Sequence, residues 1–143
     1  MTYRFHHLHI TVEDIAVSER FYDQLFTILG WDITHKYKGD LPHIDMSVVE
    51  YMHEDLDFAI CSPKTELKNQ HIDVRTPKAI QHFAFAAESK QAVDDFYEEL
   101  SQLDVTILHN EARYYDKIAP NYYAVFFEDP NGIRLEVFYY EEG

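Results

Sequence analysis

Two stretches decide the fold: HLHITVEDIAVSERFYDQL at 7–25 and HFAFAAESKQAVDDFYEEL at 82–100. Laid in register at a constant offset of 75, they share His7/His82, Glu13/Glu88, Phe21/Phe96, Tyr22/Tyr97 and Leu25/Leu100. Five identities in nineteen ungapped positions, where chance gives about one, mark a duplicated unit.

Each copy opens on a short strand pattern, breaks at a polar cluster, and continues with apolar residues at helical spacing. Val17, Phe21, Leu25 and Ile28 form the stripe in the first copy, and Val93, Phe96, Leu100 and Leu103 in the second. Ser18 and Ser89 stand near the helix starts, where a hydroxyl caps free N–H groups, and Gly30 suits the first helix's end. Strand-like sequence follows: WDITHKY (31–37), IDMSVVEYM (44–52) and LDFAIC (56–61), then in the second copy VTILH (105–109), NYYAVFFED (121–129) and IRLEVFYY (133–140). DPNG (129–132) between the last two predicts a tight antiparallel hairpin. Each copy is therefore a βαβββ module, 1–62 and 79–143. The polar linker 63–78 carries at most a short helical turn, and 110–122 reads as a second long loop.

At 143 residues the chain has room for one ordinary core and is expected to act as a single domain. A net charge of −14 with scattered basic residues repels phosphate backbones and anionic headgroups, which argues against nucleic-acid and membrane partners. The single cysteine, Cys61, excludes an intrachain disulfide and sits in an apolar run that suits a buried structural thiol. The N-terminus lacks a signal-peptide pattern, and no apolar run reaches membrane-spanning length. A cytoplasmic location is the expectation.

Strand alternation puts His7, His9 and Thr11 on one face and Leu8 with Ile10 on the other, the face a helix covers. The repeat gives His82 the equivalent place. In the last strand Leu135, Val137 and Tyr139 alternate with Glu136 and Phe138, leaving a carboxylate in the middle of an apolar segment. Such a group is costly to bury without a cation. Two imidazoles and one carboxylate can hold a divalent transition metal, Fe, Mn, Ni, Co or Zn, and leave positions open for substrate.

The strand histidine followed by VEDIAVSERFYDQL, its recurrence at 82–100, and the ending YYAVFFEDPNGIRLEVF resemble the vicinal oxygen chelate superfamily, also called the glyoxalase/bleomycin resistance/dioxygenase family. The resemblance implies an α+β fold in which two βαβββ modules form a cup-shaped mixed sheet around one metal. It implies His7, His82 and Glu136 as ligands, with Glu136 also a candidate base. Glyoxalase I members commonly add an acidic ligand from the first module's last strand. Here alternation sets Ala59 under Glu136, which draws the comparison toward three-ligand members, the extradiol dioxygenases and fosfomycin-type thiol transferases. Glu50 and Glu54 lie nearby in sequence.

His9 shares the His7 face, but its repeat equivalent is Ala84, so it is expected to line the pocket. One of Tyr122 and Tyr123 can face the same way, and Arg113 is a candidate for meeting an anionic substrate. The other histidines suit ordinary surface positions. The resulting expectation is a metal-dependent lyase or isomerase acting on a small oxygen-rich molecule. Dioxygenase or thiol-transferase chemistry is the alternative within the enzymes, and a metal-free, bleomycin-sequestering protein the alternative outside them. Superfamily members often pair, so a homodimer is compatible with the aromatic surplus.

Overall fold

The computed structural model describes residues 1–141. It divides into two compact units, the first Met1–His71 and the second beginning at Ile72.

In the first unit, β1 (His7–Thr11) leads to α1 (Ile15–Ile28), then β2 (Tyr37–Leu41), β3 (Met46–Tyr51) and β4 (Asp57–Cys61). The sheet order is β1-β4-β3-β2, with β1 parallel to β4 and the other pairs antiparallel. In the second unit, β5 (His82–Ala86), α2 (Lys90–Leu100), β6 (Ile107–Tyr114), β7 (Tyr122–Glu128) and β8 (Arg134–Tyr140) repeat the arrangement, in order β5-β8-β7-β6 with β5 parallel to β8. Each unit is a βαβββ module, as the repeat predicts. Among the described residues no helix is long and apolar enough to cross a membrane.

The helix side of each sheet is apolar by alternation. In the first unit Tyr22 and Phe26 of α1 meet Phe58 and Tyr51 at ring separations of 4.8–5.5 Å, with Ile10, Val49 and Ile60 buried on the same side. In the second, Val93, Phe96 and Leu100 are buried over a sheet face that includes Val125, Phe127, Leu135 and Val137. The polar edge of the first core is tied down as well. Lys36 Nζ lies 2.8 Å from Glu19 and from Asp23, while the Tyr51 hydroxyl donates to Asp23.

The α1 stripe is rotated from its sequence reading. Ser18, Phe21, Tyr22, Leu25 and Phe26 are its buried positions, whereas Val17 is exposed and Ile28 only half-buried. The cap also moves. Asp14, not Ser18, accepts from the N–H groups of Ala16 and Val17, because the helix begins at Ile15, three residues before Ser18, and Ser18 is buried within it. Ser89 does cap α2, accepting from Ala92. Gly30, at φ +86°, ends α1 in the left-handed region, and Trp31 N–H returns to the Phe26 carbonyl. Asp14→Ala is expected to cost about 1 kcal/mol, read as a lowered urea midpoint at neutral pH. The hydrogen bond from Val17, with help from Lys68, holds the Asp14 carboxyl below its usual range. Its contribution is therefore present above the unfolded carboxylate pKa and fades as pH falls through the folded one.

Two expected strands are corrected. Residues 31–37 form a turn up to Lys36: Asp32 accepts from both the N–H and the hydroxyl of Thr34, and Lys36 N–H returns to Ile33. The strand starts only at Tyr37. In the second unit β6 runs on to Tyr114, through residues that read as loop. His109 and Asn110 take positive φ at a register shift, after which Arg113 and Tyr114 pair with Ala124 and Tyr123. The DPNG hairpin forms as expected, with Gly132 at φ +83° and its N–H on the Asp129 carbonyl. The linker contains a short 3₁₀ turn at Thr65–Leu67.

Candidate functional site

The face opposite α1 carries His7 and His9 on β1, Asp57, Ala59 and Cys61 on β4, and Val48 and Glu50 on β3. The register makes one row of His9, Ala59 and Glu50. Alanine leaves a notch at its centre, and the flanking side chains lean over it. His9 Nε2 comes within 4.0 Å of a Glu50 oxygen, and its Nδ1 within 3.9 Å of Cys61 Sγ. Burial, with Glu50's charge adding to it, pushes the Cys61 thiol up, so it stays protonated and is a poor nucleophile. The His7 and His9 rings lie 5.4 Å apart. His7 Nδ1 is 3.0 Å from His6 Nδ1, and with His7 as donor its Nε2 carries the lone pair.

The second unit repeats the plan with the residues exchanged. Its matching row is Ala84, Glu136 and Phe126, so Ala59 and Glu136 hold equivalent sheet positions. His82 lies two residues from Ala84 along β5, on the same face. Its Nδ1 sits 2.9 Å from Gln81 Oε1, an acceptor. That partner keeps the proton on Nδ1 and the lone pair on Nε2, the arrangement metal-ligating histidines adopt.

Glu136 is 5 % exposed. Among the described residues its one hydrogen-bond partner is the Tyr122 hydroxyl, and no lysine, arginine or histidine forms an ion pair with it. Burial, then the bond to Glu136, pushes the Tyr122 phenol well above its ordinary range, so it stays a proton donor. Tyr123 turns to the helix side and donates to Asp94 of α2. Of the two tyrosines, Tyr122 is therefore the one on the Glu136 face. Arg113 is exposed, its guanidinium 5.1 Å from the centre of the Tyr115 ring. The Tyr115 hydroxyl is buried with no partner among the described residues.

Sequence reasoning missed Glu50's approach to His9 and Tyr122's grip on Glu136. Both depend on antiparallel registers that alternation leaves open. Among the described residues the group that brings three ligand-type atoms within 4.8 Å of one another is His53, Glu54 and Asp55, none of them a residue the sequence singles out as a ligand. It is a local turn: Asp55 N–H donates to His53 Nδ1, and the His53 ring stacks on Trp31 at 4.2 Å.

The profile of the Glyoxalase/Bleomycin resistance protein/Dioxygenase superfamily matches residues 4–137. An uncharacterised protein of Bacillus subtilis (strain 168), YqjT, is 27% identical over 132 residues, covering 92% of this chain and 95% of its own. Among solved structures, a protein of Bacillus halodurans provisionally assigned as a glyoxalase superposes with TM-score 0.75 at 26% identity, covering 95% of both chains. A glyoxylase/bleomycin resistance protein/dioxygenase domain from Frankia sp. EAN1pec gives TM-score 0.73 at 20% identity, covering 99% of this chain and 100% of its own, a likeness of fold.

Proposed function

Because the chain belongs to the glyoxalase/bleomycin resistance protein/dioxygenase superfamily, we propose that it is a divalent-metal-dependent enzyme acting on a small oxygen-rich molecule by lyase or isomerase chemistry. In this reading modules 1–62 and 79–143, joined by the linker 63–78, work as one domain. His7 from the first module, with His82 and Glu136 from the second, hold the ion.

The observation that carries the reading is the buried Glu136 carboxylate with a neutral phenol as its partner and no described cation beside it. An ion supplies the missing positive charge. The donor set of two imidazoles and one carboxylate suits Fe(II), Mn, Co, Ni or Zn. When bound, such an ion polarises neighbouring substrate oxygens and stabilises the charge that develops on them. The chain's own residues do the rest. His82, its Nδ1 turned to Gln81, presents Nε2. His9 and Glu50 offer a donor and an acceptor to the substrate beside His7. Arg113 is the candidate for meeting an anionic substituent, and Tyr122 holds the carboxylate.

A second reading follows from Ala59. With no acid at the position equivalent to Glu136, the site has one protein ligand fewer than a four-ligand isomerase, which favours extradiol-type cleavage or thiol transfer. Superfamily members act on small molecules and often form dimers, and we read this chain as a homodimer of the cytoplasm.

Protein purified without chelator is expected to carry close to one divalent ion per chain. Saturating Zn, Ni, Mn or Fe(II) at about 100 times Kd should stabilise it by roughly 2.7 kcal/mol. No ion above trace levels and no thermal gain with any of them would replace the enzyme with a metal-free, antibiotic-sequestering protein. Assays with methylglyoxal plus thiol, fosfomycin plus thiol, and catechols under Fe(II) then separate the chemistries.

A further inference from the structure

We infer that Tyr122 is a positioning residue for Glu136: its hydroxyl holds one carboxylate oxygen, Oε1, so that the other is presented to a divalent cation. The inference rests on the metal reading above, through Glu136 as a ligand.

The register rules out a trivial explanation of the contact. The residue directly opposite Glu136 is Phe126, and Tyr122 stands opposite Tyr140, nearer the other end of the hairpin. Tyr122 reaches Glu136 by lying along the sheet. Its ring stacks on Phe138, centroids 5.0 Å apart and planes within 9°, and Tyr140 adjoins it at 5.9 Å. Phe138 is two residues from Glu136 on the same face of β8, so a ring laid over Phe138 delivers its hydroxyl to the carboxylate. Only the hydroxyl can donate in this pair, since an ionised carboxylate offers acceptors alone.

Surroundings fix the carboxylate on its other sides. Phe126 stands beside it, its ring backed by Tyr115 at 4.8 Å. On the opposite flank the row passes to Ala84, small and exposed, on the strand that carries His82. The carboxylate is thus gripped from the aromatic side, while the strand that carries His82 sets only the small Ala84 beside it. A glutamate left alone would sample several rotamers and lose that freedom on binding. The stacked phenol removes the freedom beforehand. Outer partners of this kind typically change metal affinity by about 10–100-fold.

The test is Tyr122→Phe, which keeps the stacked ring and removes only the donor. Zn(II) binding by titration calorimetry should weaken about 10–100-fold, and the metal-free urea midpoint should fall as the buried carboxylate loses its one described donor, so binding is read on protein shown to be folded. The visible absorption of the Co(II) form should change in intensity as the carboxylate, released at Oε1, engages through both oxygens. Phe138→Leu, which keeps the phenol but removes its platform, should weaken Zn(II) binding by a smaller factor. Wild-type affinity and an unchanged Co(II) spectrum in Y122F would overturn the inference. Glu136→Gln, measured alongside, separates the levels. Loss of binding in E136Q with none in Y122F removes Tyr122's role and leaves the ligand assignment intact. Wild-type affinity in E136Q removes both.

Discussion

Replacing Glu136 by leucine together with Tyr122 by phenylalanine is expected to abolish the response to divalent metal while leaving the metal-free protein as stable as wild type, or more stable. Glu136 lies 5 % exposed on an apolar strand. Burying a charge costs several kcal/mol, and a hydrogen bond to a charged group returns only about 1.5–3 kcal/mol. Leucine has no desolvation penalty and gains roughly 1.5–3 kcal/mol from burial. The second substitution is needed because leucine alone would strand the Tyr122 hydroxyl, whose acceptor is Glu136. Urea denaturation with and without Zn(II) reads both effects together. A purely structural Glu136 would give the reverse result, a less stable double variant and a wild type indifferent to metal. Stability gained at the cost of ligand binding is the mark of a group retained for what it binds.

The largest stability loss is expected from Phe26→Ala, roughly 3–5 kcal/mol. Phe26 is wholly buried and joins four aromatic rings: it stacks on Trp31 at 4.3 Å and meets Tyr51 at 4.8 Å, Phe58 at 5.5 Å and Tyr22 at 5.6 Å. No one of these neighbours can fill the space, because Tyr51 is tied to Asp23 and Trp31 follows the turn at Gly30. The loss is a large fraction of the ~5–15 kcal/mol that holds an ordinary domain folded. Amide exchange should accelerate first across β3, β4 and α1, the elements that touch the ring. Phe26→Leu, which retains most of the volume, should lose much less.

Much of this architecture is legible in the chain. The repeated histidine, followed at the same distance by Phe-Tyr and leucine, announces both strand-helix units, and alternation assigns Glu136 and His82 to the face away from α2. Alternation also aligns Ala59 with Glu136, and the parallel pairs His9 with Ala59 and Ala84 with Glu136 give that alignment its geometric content. Other features depend on contacts that no local pattern encodes. Residues 31–37 alternate like a strand, yet Asp32 captures Thr34 and turns the chain. Residues 110–114 look like a loop because they are polar, and they become strand because β7 offers an edge. Asp14 and Ser18 are both good caps, and only the packing of Tyr22 and Phe26 decides which of them begins the helix. Tyr122 and Glu136, like His9 and Glu50, become neighbours through antiparallel register, which a tight turn constrains but alternation cannot count.

The parallel pairing of each module's first strand with its last has a consequence for how the chain matures. As the protein leaves the ribosome, the segment bearing His7 waits with no strand to join until Asp57–Cys61 emerges, a closure of roughly 50 residues. The β2–β3 hairpin can form meanwhile, since its contacts are local. The second half repeats the delay, with His82 waiting for Arg134. In pulse-labelled nascent chains the two histidine strands should therefore be the last parts of their modules to gain protection, and a transcript cut short before either closing strand should yield a chain in which that module's histidine strand stays open to proteases.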